Sequence, residues 1–271
     1  MNKDILRQQG QYIAKANDII QRSYYSMTAQ QQRVLLYMIS KVKPNDASGT
    51  KYQISIREFC EVCGIEGDSG KHYKAIKETL LALYSASMLL KAPDSTRLKC
   101  VRWLAEAEID DVTQIKGGVI EYSFHADIAP YLFDLRRCYT QYRVEFVMPL
   151  RSKYAIRLYE LLKSLENMKQ ELIFDIDELK KKLDAENYAR FPDFRRYVIE
   201  AALCDINTYT DISVKYTAKK TGKAYTQITF SVWGTFGEET ERRREARFEK
   251  LGINKKLAEK CKKAQYDNLP F

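Results

Sequence analysis

Two groups of cations carry the chemistry this sequence is equipped to do. Arg190, Arg195 and Arg196 sit in the run ARFPDFRRYVIEAALCDINTYTDISV, residues 189–214, and Lys215, Lys219, Lys220 and Lys223 follow in VKYTAKKTGKAY. Positive charge around the first turn of a helix opposes the helix dipole, so an external anion explains three arginines there better than a solvated end does. A planar guanidinium fork matches phosphate, or the O6 and N7 of guanine, in a geometry lysine does not reproduce. Lysines on a hairpin turn suit phosphate or minor-groove contact, although such a turn also serves to guard a sheet edge. A third group, Lys71, His72, Lys74 and Lys77, lies at another helix start; Lys74 and Lys77, three residues apart, fit an ordinary wet face as well.

Other chemistries find little support. There are two histidines, His72 and His125, too few for the His-x-His cluster of a metal-dependent nicking enzyme. Neither Gly70–Lys71 nor Gly222–Lys223 has the glycine spacing and following Ser/Thr of a phosphate-binding loop. Cys60 and Cys63 make half a zinc site, but no second pair has ligand spacing. The reading is a protein that is not an enzyme, with no cofactor and no metal. The cysteines at 60, 63, 100, 138, 204 and 261 are scattered, four of them in apolar periodic segments, and read as buried thiols in a reducing compartment rather than a disulfide framework. With no apolar stretch of signal-peptide or membrane-span length, the expected location is the cytoplasm, without a membrane partner.

At 271 residues with 45% hydrophobic content the chain can build two cores. Its net charge of +9 does not by itself locate a polyanion: residues 241–263 hold ten basic and four acidic residues, which equals the whole excess of the second half.

The elements that must position these cations follow from periodicity. Pro192 suits a first helical turn, and Ile199, Ala202, Leu203 and Ile206 then form one buried stripe. Two strands, Ile212–Tyr216 and Tyr225–Trp233, flank the turn TAKKTGK. Upstream, Ser152–Leu165 reads as a helix burying Ala155, Leu158, Leu162 and Leu165, Leu172–Phe174 as a strand, and Asp175 with Glu178 as the cap of a helix to Leu183.

The first half has the same order. Residues 3–21 read as a helix running into a strand-like segment at Asn17–Gln21. Thr28 and Gln31 form a capping box before Val34, Leu35, Met38, Ile39 and Val42. Lys51–Ile54 is a strand, and Ser55 with Glu58 opens a helix through Cys63. His72–Ser85 buries Ile76, Leu80 and Leu83, and strands follow at Met88–Lys91, Leu98–Glu108 and Val119–Phe124. Thr28 matches Ser152, Ser55 matches Asp175, and Ile76, Leu80 and Leu83 match Ile199, Leu203 and Ile206, at offsets of about 120–124 residues, which marks a duplicated unit.

Helix, strand, helix, helix and two-stranded wing is the winged-helix order. The expected class is α+β: two tandem winged helices related by internal duplication, plus a C-terminal helical tail. The divisions are 1–150 with a dimerisation surface, 151–235 as the main sequence reader, and 236–271 as a charged tail. Ala126–Pro149 is the expected connection, and the strands around Trp103 and Leu104 are an expected pairing edge for a second copy.

LRSKYAIRLYELLKS (150–164), FDIDELKKKLD (174–184) and FPDFRRYVIEAALCDINTYTDISVKYTAKKTGKAYTQITFSV (191–232) resemble the theta-type, iteron-binding plasmid replication initiators of the Rep_3 family. The arginine pair after Phe194 and the helix-ending Asp205-Ile206-Asn207 carry the resemblance most specifically. It implies a protein that binds directly repeated origin sites in double-stranded DNA as a monomer. It also implies repression of its own promoter by a homodimer that forms without iterons, and recruitment of host replication proteins such as helicase or initiator. The residues alone leave two other readings open: a tandem winged-helix transcriptional regulator, and a winged-helix assembly protein.

Overall fold

The computed structural model describes residues 12–43, 45–57, 70–91, 97–109, 118–133, 135–136, 138–166 and 171–234. The first half runs β1 (Tyr12–Ala16), α1 (Asn17–Arg22), β2 (Ser23–Tyr24), α2 (Ala29–Ile39), β3 (Lys51–Ser55), α3 (Gly70–Ser85), β4 (Ser87–Lys91), β5 (Leu98–Arg102), β6 (Leu104–Ile109), β7 (Val119–Phe124), β8 (Tyr139–Arg143) and α4 (Val144–Val147). The second half contains α5 (Lys153–Lys163), β9 (Glu171–Asp175) and α6 (Ile176–Lys182). A continuous helix then follows in three runs, α7 (Phe191–Phe194), a π-helical turn (Arg195–Glu200) and α8 (Ala201–Tyr209), and leads into the hairpin β10 (Ile212–Thr221) and β11 (Ala224–Gly234).

Local signals hold where the physics is local. The Thr28 hydroxyl accepts from the Gln31 amide while the Gln31 side chain accepts from the Thr28 amide, closing the capping box of α2. Ser152 caps α5 through the Ala155 amide, and Asp175 caps α6 through the amides of Asp177 and Glu178. Glu178 does not reach back to complete that box; its carboxylate accepts from the Tyr24 hydroxyl at 2.7 Å and pairs with Lys182. The matched residues Ile76, Leu80, Leu83, Ile199, Leu203 and Ile206 are all buried. The helix expected from Ser55 to Cys63 begins after β3, and beyond Arg57 it lies outside the described residues.

Several expectations are corrected, most of them by contacts distant in sequence. Residues 12–24 are strand, then helix, then strand, the reverse of the helix-then-strand reading, because Tyr12–Ala16 pairs antiparallel with Tyr139–Arg143 from the other end of the first half. Ala126–Pro149 is therefore more than a connection: it supplies β8 and buries Tyr142, Val144, Val147 and Met148. The strand expected across Leu98–Glu108 is broken at Trp103. There β5 pairs with β4, β6 pairs with β7, and the indole turns inward to meet Tyr25 edge-on. Trp103 and Leu104 are each 1% exposed, packed in the chain's own core, while β5 and β6 on either side of the break stand at the edges of their sheets. Finally, Cys100, Cys138 and Cys204 are exposed free thiols rather than buried ones.

The two halves share one continuous core, and α5 lies at its centre. Ala155, Leu158 and Leu162 are buried as expected and Leu165 partly so, and α5 packs against the long helix. The other face of α5 is polar and is buried too, against the first half. Arg157 donates to the carbonyl and hydroxyl oxygens of Ser23 and lies over the Tyr25 ring at 4.7 Å, while Glu160 pairs with Lys15 and accepts from Tyr142. Charges removed from water are tolerated only when so partnered. Burial pushes the Lys15 ammonium below its ordinary value, and Glu160 opposes that shift. Around this centre, Lys182 donates to the Gln21 carbonyl at 2.5 Å and Ser26 donates to Asp184 at 2.7 Å. The joint between the halves is therefore a specific polar seam set in apolar packing.

Candidate nucleic-acid interface

The long helix of the second half is fixed from three sides before its arginines are considered. Phe194, Val198, Ile199, Ala202 and Ile206 are fully buried. Asp205, 4% exposed, receives a charged fork from Arg151 together with the Arg151 amide, which ties the helix to the start of α5. Asn207 exchanges two hydrogen bonds with the backbone of Val214, so the helix end and the first strand of the wing are one unit. The run Asp205-Ile206-Asn207 thus serves to aim the helix.

The wing is joined to the start of the same helix. The ring of Phe191 stacks on Tyr225 with centroids 4.1 Å apart, and the Lys220 ammonium sits over Tyr225 at 4.6 Å. Further along the helix, the Tyr216 hydroxyl on β10 donates to Glu200 at 2.8 Å, and burial together with that bond pushes the Tyr216 hydroxyl up to about 12. The helix start and its wide turn, with Tyr216 and the Lys220–Tyr225 end of the hairpin beside them, form one ridge, while the rest of the hairpin's inner face is buried.

The arginines on this ridge differ. Arg190, the N-cap residue, turns its Nε and one terminal nitrogen onto Asp193 at 2.8 and 3.2 Å, which raises its own value and lowers that of the Asp193 carboxyl. Arg195 touches Glu200 through Nε at 3.5 Å. Arg196 makes no ion pair among the described residues and lies 5.3 Å over the Tyr197 ring. Tyr197 itself is 52% exposed and stacks on Tyr188.

The wing strands run further than the sequence suggests, so Lys219 and Lys220 belong to β10 and the turn is only Gly222–Lys223. Gly222 has φ +63° at the first turn position, where a two-residue hairpin of the II′ kind requires glycine. A register shift between Lys219 and Lys220 directs Lys220 to the helix start. Lys215 lies with Trp233 on the outer sheet face, its ammonium 5.9 Å from that ring. Of the seven cations expected in this half, the structure puts Arg190, Arg195 and Arg196 on the helix start with Lys220 beside it, Lys223 at the tip, Lys219 exposed on β10 opposite Gln227, and Lys215 apart on the outer sheet face. Phe191, Tyr225 and Tyr216 are positioning groups that the sequence does not single out, with aromatics at both the helix start and the hairpin as the available signal, whereas Asp193 and Glu200 stand close enough in sequence to be expected partners of the arginines.

In the first half, Lys74 is 79% exposed and 3.9 Å from Glu78, one turn along α3, and Lys77 lies one turn further on from Lys74. The side chains of Lys71 and His72 lie outside the described residues, as do Cys60 and Cys63. No helix among the described residues is long and apolar enough to cross a membrane.

Comparison with known proteins places this geometry. Residues 12–163 match the family described as initiator replication protein, WH1, and residues 175–232 match initiator Rep protein, WH2. Among solved structures, one of domains 2 and 3 of RctB is similar at a TM-score of 0.49 and 13% identity, over 79% of this chain and 86% of that one. The first match extends through α5 and the second runs from the N-cap of α6 into β11, each a winged helix, and on them the chain belongs to the replication initiator protein family.

Proposed function

We propose that this replication initiator acts on a plasmid origin: it binds directly repeated sites (iterons) in duplex DNA as a monomer, promotes opening of the origin and recruits host replication proteins. As a dimer it represses its own promoter. Its role is binding rather than catalysis. The functional units are residues 1–150, 151–235, which reads sequence, and the tail 236–271. Arg195 and Arg196 read base edges in the major groove, Arg190 and the wing residues Lys215, Lys219, Lys220 and Lys223 meet backbone phosphate, and Lys71, His72, Lys74 and Lys77 present a second head.

The observation that carries this reading is the brace of Phe191 on Tyr225, which holds an arginine-headed helix and a lysine-bearing wing on one exposed ridge. A recognition helix entering the major groove with a flanking hairpin on the backbone needs that relation fixed in advance. Footprinting across the DNA flanking the gene tests it. Protection that recurs at directly repeated sequences is expected, with light scattering giving a dimer for the free chain and one protomer per repeat when bound. Protection at one isolated operator, or a chain monomeric at every concentration, contradicts the corresponding part.

A further inference from the structure

The two neighbouring arginines of the long helix are not equivalent, and the difference comes from one carboxylate. In a regular α-helix, residues five apart sit about 140° apart around the axis and do not meet. The π-helical turn from Arg195 to Glu200 closes that angle, and the Glu200 carboxylate comes to 3.5 Å from the Arg195 Nε. The same Glu200 oxygen accepts from the Tyr216 hydroxyl of the wing at 2.8 Å. Among the described residues Arg195 is engaged through its Nε, so its two terminal nitrogens stay together as a planar donor edge. At Arg190, by contrast, Asp193 takes up one terminal nitrogen as well as Nε. Glu200 is also an anion on a cationic ridge, 47% exposed, where it repels any phosphate approaching Arg195.

We propose that Glu200 is a positioning residue for sequence reading: bridging the Arg195 Nε and the Tyr216 hydroxyl, it presents the terminal edge of Arg195 to a base and withholds it from the phosphate backbone. This rests on the reading of the helix as the DNA-contacting element and adds which residue sets its selectivity. Freed from Glu200, a flexible guanidinium seeks the nearest phosphate, which is favourable on every sequence. Removing the carboxylate charge therefore strengthens binding to arbitrary duplex and weakens discrimination, a result that removal of a merely structural bond does not produce.

Glu200→Gln removes the charge and keeps an oxygen for Tyr216. Two probes are used: a duplex enriched by the wild-type chain from a random-sequence pool, and the unselected pool. In full-length Glu200→Gln with unchanged melting, preference for the enriched duplex should fall about fivefold, the lower end for removing one side chain's reading of a base. The slope of log K against log salt on the unselected pool should steepen by about 0.9, as one more phosphate is neutralised. In an Arg195→Ala background the same substitution should change neither quantity, because the coupled partner is gone. A wild-type chain that enriches no sequence overturns the DNA-reading function and this role with it. Wild-type preference that survives Glu200→Gln at an unchanged slope, or that falls equally with and without Arg195, overturns the role of Glu200 alone.

Discussion

Glu160→Gln should expose how much of the fold depends on the seam between the two halves. Lys15 and Glu160 are 2% and 1% exposed and are each other's counter-ions, with the Tyr142 hydroxyl as a further donor to the carboxylate. The substitution keeps size and an acceptor for Tyr142 but leaves an ammonium buried near Arg157, which already has one terminal nitrogen without a partner. Breaking a buried pair from one side costs about 3–5 kcal/mol. At about 2–4 °C per kcal/mol for a chain of this order, the melting temperature should fall by about 6–20 °C.

The destabilisation should depend on pH in a definite direction. Burial already lowers Lys15, and removing Glu160 takes away the main influence that raises it. A lysine whose folded value lies below its unfolded value of about 10.4 binds its proton more readily in the unfolded chain, so stability rises with pH over that window. The deficit of Glu160→Gln should therefore narrow between about pH 7 and about pH 9. Adding Lys15→Met removes the stranded charge and should recover most of the stability, since apolar replacement of a buried pair is often neutral. Thermal melting of the single and double variants at both pH values is the assay. A single variant as stable as the parent, or a double variant no better than the single one, would refute the reasoning.

Three other outcomes follow from the ridge. Arg196→Ala, which removes the guanidinium that makes no ion pair among the described residues, should cost about 1–3 kcal/mol on the enriched duplex and much less on scrambled duplex in competition binding. Replacing Lys220 and Lys223 by Ala should weaken both duplexes alike and lower the salt slope by about one unit for each phosphate no longer neutralised. Tyr225→Ala removes the stack on Phe191 and the support under Lys220, so it should weaken enriched and scrambled binding together while stability falls by about 1–3 kcal/mol, read by calorimetry alongside titration.

What could be read from the sequence followed the range of the forces involved. Thr28, Ser152 and Asp175 are visible as caps because their bonds span two or three residues, and the stripe Ile199, Ala202, Leu203 and Ile206 because helical period is local. The pairing of Tyr12–Ala16 with Tyr139–Arg143 spans more than a hundred residues and leaves no local mark, so the first strand reads as part of a helix. Trp103 is apolar and extended like its neighbours; only the core it fills shows why the strand breaks there. Arg157 and Glu160 look like the wet side of an amphipathic helix, and become interior only because a second half covers that side. At the ridge, residue types announced the arginines and lysines. The pairing of Arg190 with Asp193 is an ordinary i,i+3 contact, but the bridge from Arg195 to Glu200, five residues apart, depends on the wide turn at Arg195–Glu200, which a 3.6-residue period does not foresee.

The most direct measurement of the central claim is equilibrium binding of the unmodified chain to the enriched duplex and to a scrambled duplex of equal length, across a series of salt concentrations. With about six phosphates neutralised by the ridge and wing, log K on the enriched duplex should fall with log salt at a slope near −5. The enriched duplex should remain preferred by about a thousandfold or more, as specific binders do. A flat salt response, or equal affinity for the two duplexes, would contradict the account.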